Sequence, residues 1–95
     1  MLDQTKNILQ NLGIIDKIPA DMREKLLPKI GELLEKRMLV ALTIAIPEDK
    51  KQEAEDKIKN NEPGLVEYLQ SIVPDSDEVL KRTIDKFKAE IDQML

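Results

Sequence analysis

Apolar residues recur along this chain at three- and four-residue steps, in stretches separated by glycine, proline and asparagine, the rhythm of helices that each turn one face inward. Leu2, Ile8, Leu9 and Leu12 lead up to Gly13, the residue best able to take the left-handed conformation that closes a helix. A short first helix is predicted there. Ile14 to Ile18 read as an apolar link broken by Asp16 and Lys17, after which Pro19 presets the backbone angle for the first turn of another helix. Asp21 and Glu24 suit the positive end of that helix's dipole.

From about Ala20 to Ile46 the series Leu26, Leu27, Ile30, Leu33 and Leu34, then Met38 to Leu42, predicts one long helix. Its apolar stripe widens after Arg37, which implies burial on more than one side. Pro28 lacks an amide hydrogen and Gly31 weakens the same region, so a kink, or a division into two helices, is expected near Leu27 to Gly31. The β-branched Val40, Thr43, Ile44 and Ile46 also allow a strand over Met38 to Ile46. No second strand candidate exists to pair with it, and an isolated strand leaves its backbone groups unsatisfied, so the helix is preferred.

Pro47, Glu48 and Asp49 repeat the helix-start signature, but Glu48 to Asn61 contains only Ala54 and Ile58 as apolar residues, and that helix should be mostly solvated. Asn60, Asn61, Pro63 and Gly64 punctuate its end. Leu65, Val66, Leu69, Ile72 and Val73 then form an amphipathic segment that stops before Pro74. Asp75 and Glu78 have capping-box spacing, and the last helix carries the clearest period, with Leu80, Ile84, Phe87, Ile91 and Met94 on one face. The fold class expected is all-α, a compact bundle of about five helices around a long central helix interrupted or kinked at Pro28. The whole chain, residues 1–95, reads as one domain.

Composition narrows the chemistry. Phe87 and Tyr68 are the only aromatics, so aliphatic helix contacts must carry the packing. Fifteen basic and nineteen acidic residues give a net charge of -4, which lacks the positive field that nucleic acid demands. There is no cysteine, which fits a reducing compartment and makes the cytoplasm the expected location. Met1 to Gln10 carries Asp3 and Lys6 and lacks the order of a secretory signal. The longest apolar stretch, Met38 to Ile46, is far shorter than the roughly 20 residues of a membrane span, so no membrane anchor is expected.

The absence of His and Cys removes the usual proton shuttle and the common zinc ligand sets. Ser71 and Ser76 lie in no nucleophile turn, and Gly13, Gly31 and Gly64 stand alone, so neither acyl transfer nor phosphate cradling has support. Asp75-Ser76-Asp77 resembles the opening of a calcium loop, but Leu80 stands where glycine is needed and Lys86 where a bidentate Glu is needed. Helix capping explains Asp75 better. The lysines from Lys50 to Lys59, and the basic group Lys81, Arg82, Lys86 and Lys88, are interleaved with acids and read as solvated faces. Lys36 follows Glu32 by four residues, the favoured order for an intrahelical pair. No enzyme activity, cofactor or metal is therefore expected.

The pieces Leu12-Gly13-Ile14, Ile30-Gly31-Glu32-Leu33-Leu34-Glu35-Lys36-Arg37, Ile72-Val73-Pro74 and Phe87-Lys88-Ala89-Glu90-Ile91 extend over nearly the whole chain. In that order they resemble a family of small acidic helical domains of unknown function encoded by candidate-phyla bacteria. The resemblance implies a compact helical domain of this length and transfers no activity or functional residue.

What remains is a protein-interaction or structural module, with a homodimer as its simplest form. The expected contact surface is whichever part of Met38, Leu39, Leu42 and Ile46, or of Phe87, Ile91, Met94 and Leu95, stays exposed after folding. The alternative is a helix-turn-helix-like nucleic-acid-binding domain built from the Leu65 to Val73 segment and the last helix. Its candidate recognition helix carries at least as many acids as bases, so nucleic acid is not the expected partner.

Overall fold

In the computed structural model, which describes residues 2–95, the described residues form α-helices and no strand. The helices are α1 (Asp3–Asn11), α2 (Ile14–Lys17), α3 (Arg23–Ile44), α4 (Lys51–Lys59), α5 (Leu65–Ile72) and α6 (Ser76–Met94), with one 3-10 turn at Ala20–Met22 before α3 and another at Glu48–Lys50 before α4. The sequence pattern anticipates the α-helices other than α2, and it reads the two 3-10 turns as the first turns of the helices that follow them. The single turn of α2 lies in what reads as a link, because four residues are too few to show a helical period.

Local chemistry sets the boundaries. Gly13 closes α1 with a φ of 71° and Gly64 opens α5 with a φ of 76°, both in the left-handed region where a side chain is strained. Asn61, with a φ of 51°, ends α4. The Asn61 amide donates to the Ile58 carbonyl at 3.0 Å and the Glu62 amide to the Lys57 carbonyl at 3.2 Å, the paired bonds of a Schellman close. Pro19 and Pro47 each start a 3-10 turn whose last amide returns to the proline carbonyl, Met22 to Pro19 at 2.9 Å and Lys50 to Pro47 at 3.0 Å.

Pro28 does not end its helix, because α3 runs through it to Ile44. Pro28 is the sixth residue of α3, so the one backbone bond it removes lies near the helix's start and most of the helix follows it. At the start of α6 the expected capping box takes another form. Asp75 adopts a left-handed φ of 55°, and it is its carbonyl that accepts from the amides of Glu78 and Val79, at 3.0 and 3.1 Å.

Contacts gather the chain into two units. One comprises the residues up to Lys36 together with Ile84–Leu95, and so holds α1, α2, the first part of α3 and the last part of α6. It buries Leu9, Ile14, Ile18, Leu34, Phe87 and Ile91, together with Thr5. Polar contacts join its segments. The Leu2 amide donates to the Glu35 carboxylate at 2.9 Å, the Lys17 ammonium pairs with Asp92, and Lys88 pairs with Asp92 at 3.2 Å. Arg23 Nε donates to the carbonyls of Ile15 at 3.1 Å and Ile18 at 3.0 Å, adding a charged donor to the Ile15 carbonyl, which also accepts from the Ile18 amide at 3.2 Å.

The other unit, Arg37–Thr83, holds the end of α3, α4, α5 and the start of α6. It buries Met38, Leu42 and Ile46 from α3 and its exit, Ala54 from α4, Val66 and Leu69 from α5, and Val73 and Leu80 beyond it. Ala54 is the only buried residue of α4, as its sparse apolar content predicts.

Candidate functional site

Leu34, Met38 and Leu42, one helical turn apart in succession, are all fully buried and define the inward line of α3. Val40 lies two residues past Met38, about 200° around the helix at about 100° per residue, so the same rotation that buries Met38 turns Val40 outward. Val40 is 58% exposed and Ile44, one turn further, is 79% exposed. The widening of the stripe after Arg37 therefore bares apolar surface, and the expectation of burial on more than one side does not hold. The signal lay in the sequence, since a helix cannot send i and i+2 into one interior.

Five of the eight residues expected to offer a contact surface, Met38, Leu42, Ile46, Phe87 and Ile91, are taken up by core packing. Leu39 is half-buried. In the first unit Met94 is 74% exposed and Leu95 51% exposed, next to each other where α6 ends.

Around Val40 and Ile44 the chemistry is plain. The Thr43 hydroxyl donates to the Leu39 carbonyl at 2.7 Å, the back-bond that lets a β-branched polar residue sit in a helix. Two ion pairs in this unit are local: Lys51 meets Glu48 at 2.7 Å and Lys57 meets Glu62 at 3.6 Å. The Lys51 ammonium holds the Glu48 carboxyl below its ordinary value, by hydrogen bond and by charge, and is itself raised by Glu48.

Lys57 also stands over the Tyr68 ring, 5.0 Å from its centroid, close enough for a cation–π contact. The Tyr68 hydroxyl is buried, with the Glu53 carboxylate beside it. Loss of solvent raises its pKa, with the negative charges of Glu53 and Glu62 adding to the effect. Ser71 spends its hydroxyl on the Tyr68 carbonyl. Lys57, Tyr68 and Ser71 thus meet where α4 and α5 adjoin. Among the described residues no group of three or more acidic or metal-binding side chains is placed to hold a metal ion, and no helix is long and apolar enough to cross a membrane.

Neither the curated proteins nor the solved structures give a match to this chain. A family model does, and it extends over residues 8–91, from the middle of α1 to the buried Ile91 of α6. With that span covering nearly every helix described above, the chain belongs to the family described as Protein of unknown function (DUF5663).

Proposed function

We propose that this protein acts by binding protein, in its simplest form a second copy of itself, and that it performs no catalysis. The exposed pair Val40 and Ile44 carries the reading. Two β-branched side chains one turn apart on a stable helix form a rigid apolar ridge, and covering such a ridge releases ordered water at no cost in backbone freedom. Met94 and Leu95 are a second apolar feature of the same kind. The absence of cysteine and the net charge of -4 are compatible with work in the cytoplasm.

The rival reading, a helix-turn-helix-like nucleic-acid domain, draws on the short turn between α5 and α6. Its weakness is electrostatic, since the bases Lys81, Arg82, Lys86 and Lys88 on α6 are answered by Asp77, Glu78, Asp85, Glu90 and Asp92. Passage through a heparin column at low salt would close that reading.

Light scattering over a wide concentration range is the direct test. Mass should rise with concentration, and Ile44→Glu should return the protein to a monomer without loss of helix by circular dichroism, while Met94→Glu tests the second feature. A protein that stays monomeric at every concentration rules out self-association.

A further inference from the structure

Lys6, Asn7 and Gln10 line a half-open cavity of about 220 Å³, together with Ile15 and Leu27. Lys6 and Gln10 are four residues apart on α1, so they lie one above the other on a single face with Asn7 beside them. Ile15 from α2 and Leu27 from α3 are half-buried and supply apolar walls. All five belong to the first unit, and Ile15 is fixed in place because its carbonyl accepts from Arg23 at 3.1 Å.

The polar side is chemically free. Among the described residues no hydrogen bond or ion pair engages the side chains of Lys6, Asn7 or Gln10. The lining therefore offers one ammonium, two carboxamides that both donate and accept, and an aliphatic wall. No carboxylate lines it to neutralise the ammonium.

We infer that this cavity binds a carboxylate carried on a short, branched aliphatic chain. The ammonium of Lys6 recognises the negative charge, the amides of Asn7 and Gln10 supply directional hydrogen bonds to the carboxylate oxygens, and Ile15 and Leu27 receive the aliphatic part. Size limits the ligand. The volume lies below the roughly 300 Å³ at which pockets begin to hold drug-sized molecules, so the bound group is a fragment. A free branched-chain acid and a leucine-like residue that ends a peptide share this chemistry. Lys6 and its neighbours would hold such a group whether or not the protein self-associates.

The test is a titration of the isotope-labelled full chain, followed by amide chemical shifts, with isocaproate as the probe. Isocaproamide has the same shape without the charge, and acetate has the charge without the tail. Isocaproate should shift the amides of Lys6, Asn7, Gln10 and Ile15, with both controls binding about fivefold or more weakly. Lys6→Gln, an exposed change that leaves the helix intact, should weaken isocaproate by about fivefold and leave isocaproamide unaffected. N-acetylleucine then separates the sources: tighter binding than isocaproate assigns the ligand to a peptide end, and weaker binding assigns it to a free acid. Absence of shifts with isocaproate, equal binding of acid and amide, or an unaltered affinity in Lys6→Gln overturns the inference.

Discussion

Each of the two units has one aromatic ring, and the rings are used in opposite ways. Phe87 is buried in the first unit, where it is the largest fully buried side chain. Tyr68 in the second is half-buried, with the Lys57 ammonium over its face. The polar contacts named above differ in reach as well. In the first unit two of them join residues far apart in sequence, Leu2 to Glu35 and Lys17 to Asp92, beside the short-range pair Lys88 and Asp92. In the second, two ion pairs close over a few residues, Glu48 to Lys51 and Lys57 to Glu62. The lesson is that chain ends brought together need fastening across long loops, whereas consecutive short helices can be set by their own turns.

The largest effect should come from the buried ring. Phe87→Ala should cost about 3–5 kcal/mol in urea unfolding, enough to unfold much of a domain this small. Leu69→Ala, the matching core truncation in the second unit, should cost about 2–5 kcal/mol. A Phe87→Ala cost no larger than that of an exposed substitution would mean that the ring does not organise its unit.

Arg23 sharpens the contrast next. Its Nε bonds to two carbonyls at the end of α2, so Arg23→Ala should cost about 1–3 kcal/mol by leaving those acceptors without a charged donor. Arg23→Lys should recover little, because both bonds come from Nε, where lysine has a methylene and carries its ammonium one bond further out. Thr5→Val should act in the opposite direction. The Thr5 hydroxyl is buried without a partner, so a methyl group in its place should raise stability by about 1 kcal/mol, read from the denaturant midpoint.

The smallest effect belongs to titration in the second unit. Tyr68 has its pKa raised above the ordinary 10.0, so the folded state holds its proton more tightly than the unfolded chain does. That contribution is complete below pH 10.0 and is lost as pH climbs from there through the folded-state value. Tyr68→Phe keeps a ring beneath Lys57 and should remove this alkaline loss, leaving stability at neutral pH no lower. An unchanged alkaline unfolding profile in Tyr68→Phe would assign the loss to other groups.

Much of the architecture was legible because helix signals are local. Gly13, Asn61 and Gly64 mark boundaries through backbone conformations few residues tolerate, and the period of α6 follows from Leu80, Phe87 and Ile91 alone. Pro28 was harder to read, since a proline states which bond is missing but not whether the surrounding turns are held strongly enough to continue. Ile14 to Ile18 hid a helical turn for want of length.

The eight expected contact residues show the same division. Their apolar character and helical phase were written in the sequence, and Val40 and Ile44 were equally visible there as out of phase with Met38. Which apolar face meets neighbours is a matter of what packs against it. The sequence by itself determined an all-helical chain, its breaks and its lack of His and Cys chemistry, because propensity, period and composition act within a few residues. Only the tertiary structure decided that Met38, Leu42 and Phe87 are core, that Ile44 and Met94 are bare, and that Lys6 faces Ile15 and Leu27 across a cavity, because those outcomes depend on residues distant in sequence meeting in space.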